Sequence, residues 1–321
     1  MSPWPGSPRG ARAGEASPER GDRPPIAPLL IRLTGPSSVV GSLRASQVAR
    51  LIQSVAAGTA VRLVLGAPGP DAVERARRAV LAGEADAAVH LADELPCPAH
   101  DRLEVIAIPW RGDPRDVLSA RGGLTFQRLP VGARVGAAGA SRLLQLAGLR
   151  PDLEWVRIDA DVASALERVE RGSLDAVVVP SAEVALLGLG GRVSHTFSLE
   201  SLVPAAGRAA LVLEARRRDG EVLRALQAVD HPISRLEVAA ERAVLRRLQA
   251  WPTSSVGVTA EAKYGAMAIC GVLAPGPGRP LLRAERSGPA AMVEQIAASV
   301  ASALLLQEEA TQPDSSWPSR P

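Results

Sequence analysis

GEADAAVHLADELP, residues Gly83 to Pro96, is the stretch on which the fold turns. Its apolar run, Ala85 to Val89, is too short for a helix and follows a segment with helical periodicity, so it reads as a buried strand. The strand ends in a polar turn that carries two neighbouring carboxylates, Asp93 and Glu94. In an α/β protein, a buried strand whose tip presents acids beside a cleft is a usual place for chemistry. The same letters also suit an ordinary strand end with two solvated acids.

Upstream, Leu29 to Leu33 reads as a strand and TGPSSVVG, 34–41, as a turn with a hydroxyl pair. Ser42 to Ala56 sets Leu43, Val48, Leu51, Ile52 and Val55 on one helical face. Ala60 to Leu65 is a second strand, GAPGP at 66–70 a tight loop, and Asp71 to Ala82 a helix opened by Pro70 and Asp71. This β-α-β-α-β order predicts a largely parallel sheet with helices on its faces.

Downstream the pattern recurs. Val131 to Val135 is a strand, and GAAGAS at 136–141 is a Gly-rich turn opening a helix through Leu149. Glu154 to Ile158 is a strand, Asp161 to Arg171 a helix and Leu174 to Val179 a buried strand. Two such units joined near Asp113 to Leu118 predict two lobes around a cleft, with Arg208 to Glu214 as a strand returning to the first. A third unit begins near Pro232. It holds a helix from Leu236 to Gln249, strands around Ser255 to Thr259, Ala266 to Leu273 and Leu281 to Glu285, and a helix from Ala290 to Leu306.

The chain has 321 residues, 46% of them apolar, enough for two or three domains with real cores. No run of eighteen apolar residues exists, so no membrane span is expected. The first 25 residues lack an apolar core of the secretory kind. Composition predicts disorder for 1–28 and for the tail 307–321. Two cysteines, Cys97 and Cys270, make no disulfide framework, which fits a reducing cytoplasm. A net charge of only +3 does not suggest nucleic acid. Lys263 is the only lysine, so a lysine needed elsewhere would be expected to appear as arginine. His90 lies within a strand and reads as packed, while His100, His195 and His231 have no metal-ligand spacing.

Four segments carry a resemblance. AVHLADELP at 88–96 resembles the porphobilinogen deaminase (hydroxymethylbilane synthase) signature AVHSxKDxP. IPWRGDPRDVLSA at 108–120 is similar to that family's xxxREDPRDALVS, VPAAGRAALVLEAR at 203–216 to LPAPGQGALAIExR, and ERAVLRRL at 241–248 to ERAFLRxL. The matches run collinearly from about Ile31 to Leu306. The resemblance implies three α/β domains, the first two resembling the lobes of type II periplasmic binding proteins and the third a small α+β domain. The ranges would be 29–110 with 203–230, 115–200, and 232–306. It also implies a reaction in tetrapyrrole synthesis, the joining of four porphobilinogens into hydroxymethylbilane with loss of ammonia. That needs an acid to move protons, a thiol to hold a dipyrromethane primer, and a basic cleft for many carboxylates.

The letters that serve those needs are the ones that differ. Glu94 stands at the family's catalytic aspartate and Asp93 at its lysine. The primer loop EGGCxxPxG becomes QAWPTSSVG at 249–257, which puts Pro252 at the attachment cysteine, so no dipyrromethane is expected. Thr253, Ser254 and Ser255 offer only hydroxyls, Cys97 is a candidate thiol, and Cys270 reads as buried. RKSPLALxQ becomes PSSVVGSLR at 36–44, losing its basic pair to Pro36 and Ser37 and keeping Ser38. GTSSLRRxxQ becomes GAAGASRLLQ at 136–145, with Ser141 for one arginine and Arg142 for the other. RGNxxTRL becomes DADVASAL at 159–166, with Asp159 and Ala165 at its arginines. The loop before Asp71 has Gly69 at a family lysine and is too short for the family's active-site lid. Arg208 replaces a glutamine. The expected cleft is neutral to acidic around Ser37, Glu94, Ser141, Asp159 and Ala165, with Arg142 and Arg208 as its main positive groups and Ser38 beside them. Helix N-termini after Gly35 and Gly136 could hold a small anionic ligand. The implication is a cytoplasmic family member that has lost catalysis, without nucleic-acid or membrane partners; an active divergent deaminase is the alternative.

Overall fold

A computed structural model describes residues 29–96, 100–217, 220–249, 255–276 and 278–311. Pro252, Thr253, Ser254 and Cys97 lie outside them, as do 1–28 and the end of the C-terminal tail.

The first lobe starts with β1 (Leu29–Thr34), α1 (Val39–Val55), β2 (Thr59–Leu63), α2 (Ala72–Leu81), β3 (Ala87–Leu91) and β4 (Glu104–Ala107). β1 runs parallel to both β2 and β3, as the alternating order of elements predicts. All of β3 is buried. Ala87 and Val89 pack with Ile31, Leu33 and Ile52, while Ala88 faces Ala76 and Val80 of α2. A strand covered on both faces needs apolar letters at every position, which is why the run shows no alternation. α1 begins where Ser38 accepts the Gly41 amide at 3.2 Å.

The second lobe contains β5 (Asp116–Ala120), β6 (Arg134–Ala137), α3 (Ala140–Leu149), β7 (Glu154–Arg157), α4 (Val162–Glu170), β8 (Ala176–Pro180), α5 (Ser181–Leu186) and β9 (His195–Thr196). Its sheet order is β7-β6-β8-β5-β9, with β6 parallel to β7 and β8, and β5 antiparallel to β8 and β9. The strand expected from Val131 begins only at Arg134, because Pro130 to Ala133 close a turn with Gly132 at φ 76°.

The chain then returns. β10 (Leu211–Ala215) lies antiparallel between β3 and β4, so the first sheet is completed from a distant segment. After α6 (Gly220–Gln227) and α7 (Pro232–Leu248) comes the antiparallel sheet β11 (Val256–Lys263), β12 (Ala266–Leu273) and β13 (Leu282–Pro289), closed by α8 (Val293–Thr311). α7 and α8 cover that sheet through Val244, Met267, Ile269, Val300 and Leu304. Disorder was expected from Gln307, but α8 continues to Thr311. Gln, Glu and Ala sustain a helix, the Gln307 amide donates to the Arg283 carbonyl at 3.2 Å, and Arg279 donates to the Thr311 hydroxyl. Residues Ala290–Thr311 are long and apolar enough to cross a membrane by composition. Their Ile296, Ala297, Val300, Ala301 and Leu304 stripe is spent on the third unit's core.

One buried knot joins the parts. Glu241 of α7 is fully buried and accepts from both Arg111 Nη atoms at 2.7 and 3.1 Å, from the Gly207 amide at 2.6 Å and from the Ala260 amide at 2.9 Å. Arg111 Nε also donates to the Arg208 carbonyl at 2.8 Å. Both segments that cross between the lobes are thereby tied to the third unit.

Candidate functional site

The acidic turn after β3 is held from behind. Arg242 donates to the carbonyls of Ala92, Leu95 and Pro96 at 2.9, 3.1 and 2.7 Å. Gly207 presses on its front: a Cβ there would come within 2.7 Å of the Ala92 Cβ, and φ is 79°. That close approach sets Arg208 beside Asp93, with Nη1 2.9 Å from Oδ2. Asp93 Oδ1 and Arg208 Nε are buried and have no hydrogen-bond partner.

Glu94 turns outward and is half exposed. Desolvation, and after it the like charge of Asp93, pushes its carboxyl above the ordinary glutamate range; Arg44 opposes the shift and Glu183 adds to it. Arg44 is the only guanidinium within 4.0 Å of Glu94 among the described residues, at 3.9 Å, and it spends its better bond, 2.8 Å, on Glu183 of α5. The Arg44–Glu183 pair therefore links the two lobes.

On the second lobe, α3 opens at Gly139, whose φ of 86° needs a glycine and which has no side chain to cap the helix. Ser141 accepts from Gln145 at 3.0 Å. Arg142 does not reach into the cleft as a free cation. It is buried, clamps both oxygens of Asp116 at 2.8 Å and donates to the Ala138 carbonyl at 2.7 Å. Its position fixes the start of β5; Arg142 and Arg208, expected as the main positive groups of the cleft, both line it, and each is already paired with a carboxylate, Asp116 and Asp93. Ser38 is a helix cap. Ala165 is fully buried among Val162, Leu166 and Val169 on α4 and faces the lobe's core.

A cavity of about 390 Å³ opens where the three units meet. Asp93 and Arg208 line it from one side, Gly139 to Arg142 and Arg157 from the second lobe, and Leu245 and Val256 from the third unit. The last two flank the segment that contains Pro252. A second cavity, about 350 Å³, lies between α1 and α5, walled by Trp110 and lined by Arg44 and Glu183. Arg208 borders both. Arg44 and Arg157 were not singled out from the sequence. Arg157 had a signal, since it lies two residues before Asp159 and so on the same face of an extended segment. Arg44 had none beyond standing at a family glutamine.

His90, His231 and Cys270 are taken up by the fold. His90 is buried with its Nε2 3.5 Å from Glu214. His231 caps α7 by accepting the Ser234 amide at 3.2 Å. Cys270 is buried in β12, and desolvation raises its thiol. Among the described residues no three His, Cys, Asp or Glu side chains gather as metal ligands would.

A family model described as "Porphobilinogen deaminase, dipyromethane cofactor binding domain" matches residues 73–224. The porphobilinogen deaminase of Desulforudis audaxviator is 37% identical over 228 residues, covering 71% of this chain and 74% of that one. That of Roseiflexus sp. is 36% identical over 229 residues, covering 71% and 75%. Among solved structures, an ABC-transporter periplasmic substrate-binding protein from Coxiella burnetii aligns with a TM-score of 0.43 at 16% identity, covering 66% of this chain and 96% of that chain.

Proposed function

Because this chain belongs to the porphobilinogen deaminase family, we propose that it is a member whose scaffold persists while the polymerising chemistry has been lost. The observation that carries this reading is the Asp93–Arg208 pair at 2.9 Å. The resemblance puts a lysine at 93 and a glutamine at 208; here the two positions hold an acid and a base that neutralise each other. With Arg142 also held by Asp116, the cations expected to grip a polycarboxylated chain are used inside the protein. The residues present do not fit a thioether-linked dipyrromethane. Pro252 offers no nucleophile at the attachment position, and Ser141 replaces an arginine on the cavity wall. What the cleft can hold is a small anionic ligand, received by the uncapped first turn of α3 and by Arg157. The protein would then act in the cytoplasm beside tetrapyrrole synthesis, as a binding protein and not a transferase.

One observation favours the alternative, an active divergent deaminase. Glu94 stands at the catalytic position with its carboxyl held above the ordinary range by desolvation and then by Asp93, a shift in the direction that favours a proton-donating acid. Intact-protein mass spectrometry and an ammonia-release assay with porphobilinogen separate the readings. The expected result is an unmodified mass and no ammonia. An added mass of two linked pyrroles, or turnover, would establish the enzyme and end the proposal.

A further inference from the structure

Arg44 faces two acids that belong to different lobes. Its Nη2 lies 2.8 Å from Glu183 of α5, across the cleft, and its Nη1 lies 3.9 Å from Glu94, on its own lobe after β3. One guanidinium therefore stands between a contact that is made and one that is not, and a small rotation of its side chain would exchange them. Arg44 and Glu183 are only 15% and 21% exposed, whereas Glu94 is half exposed. A shielded pair is weakened less by solvent and salt, so the bond across the cleft prevails while the lobes are closed.

The other charges around these three groups are committed elsewhere. Asp93, beside Glu94, pairs with Arg208 at 2.9 Å, and Asp113 on the first crossover pairs with Arg115 at 2.7 Å. Arg242 of α7 lies behind the acidic turn on its carbonyls. Arg208 attracts both Glu183 and Glu94 at longer range. Two acids thus compete for Arg44, and the cavity of about 350 Å³ between α1 and α5 is lined by the pair that wins.

We propose that Arg44 is a latch between the lobes, closed on Glu183 and released to Glu94, and that the charge on Glu94 decides between the two positions. Part of the rise in the Glu94 carboxyl, which comes first from desolvation and then from Asp93, is due to Glu183 on the opposite lobe. Parting the lobes withdraws that like charge and frees Arg44 for Glu94, and both changes favour ionised Glu94. By linkage, ionised Glu94 favours the parted form. The closed form holds the proton more tightly, so closure is favoured while Glu94 is protonated and weakens as pH rises through its titration range.

The test is small-angle scattering of the full chain at about pH 5 and about pH 8, either side of the raised range of a glutamate. The wild type is expected to have the larger radius of gyration at pH 8. Glu94→Gln, which keeps the shape and removes the charge, should stay compact at both. Arg44→Glu combined with Glu183→Arg moves the cation to the second lobe and leaves two acids on the first. Ionised Glu94 then attracts across the cleft, so in this variant the larger radius should appear at pH 5. Melting by circular dichroism checks that each variant folds, and if the crossed variant does not, the Glu94→Gln comparison decides alone. A wild-type radius that does not change between the two pH values, a Glu94→Gln variant that expands as the wild type does, or a folded crossed variant that keeps the wild-type sign would overturn the proposal.

Discussion

Glu94 and Glu214 are two acids of one lobe with opposite fates. Glu94 has its carboxyl pushed up, first by desolvation and then by Asp93. The folded state therefore holds that proton more tightly than the unfolded chain does, and the stability Glu94 contributes falls as pH rises through its titration range. Glu214 is the reverse. Burial alone would raise it, but the hydrogen bonds and charge of Arg77, with His90 Nε2 3.5 Å away, hold it down to about 2. Its contribution is present at neutral pH and is lost as pH falls from the ordinary glutamate range toward about 2. Thermal melts across pH 3 to 8 should separate the two. Glu94→Gln is expected to raise Tm at neutral pH, with the gain vanishing on acidification. Glu214→Gln should lower stability at pH 7 by up to about 3 kcal/mol, because it removes the buried carboxylate from Arg77 and leaves that guanidinium only the half-exposed Glu74. Ala209 gives a second residue-scale test. It has φ 62° where the resemblance has a glycine, and a left-handed non-glycine residue costs about 1–2 kcal/mol. Offsetting that by the entropy of glycine, Ala209→Gly should raise stability by up to about 1 kcal/mol in urea unfolding.

The elements around the cleft are placed by the family letters that remain. Arg111, Asp116, Arg142, Gln145, Glu214, Glu241 and Arg242 all match the family segments, and each makes a clamp between elements. Gln145 is typical: its amide donates to the Val203 carbonyl at 2.9 Å and accepts the Val203 amide at the same distance, pinning the second crossover to α3. Glu241 is the most connected. Glu241→Gln keeps the shape but removes the charge facing Arg111, and should cost about 3–5 kcal/mol in chemical denaturation. Hydrogen exchange of the Gly207 and Ala260 amides should rise with it, because both donate to that carboxylate. The same frame explains why an arginine cannot be restored at Ala165. Its Cβ points into the second lobe's core, so the substitution would bury a charge among valines and leucines.

At the scale of the whole molecule, the lobes meet through Arg44 of α1 and Glu183 of α5 at 2.8 Å, a pair mostly shielded from solvent. Arg44→Ala should let the lobes part, seen as a larger radius of gyration in small-angle scattering; an unchanged radius would show that the crossovers alone set the closure. The sequence by itself determined the parallel core of each lobe, the strands and helices of the third unit and the place of the acidic turn. Those follow from apolar runs, helical periods and turn residues, which are local properties of the chain. It also determined the family, because collinear segments keep the residues that clamp the elements together. It misread the end of α8, where composition resembles a solvated tail but the tertiary partners Arg283 and Arg279 hold a helix. It could not decide which charges in the cleft are free. Arg142 and Arg208 read as binding groups by position, and both are spent on Asp116 and Asp93. Arg157 and Arg44 gained their places only when β7 and α1 were brought to the cavities they line. The physical reason is that an ion pair depends on distance in space, and the segments that supply its two halves are far apart in the chain; only the tertiary structure brings them within bonding distance.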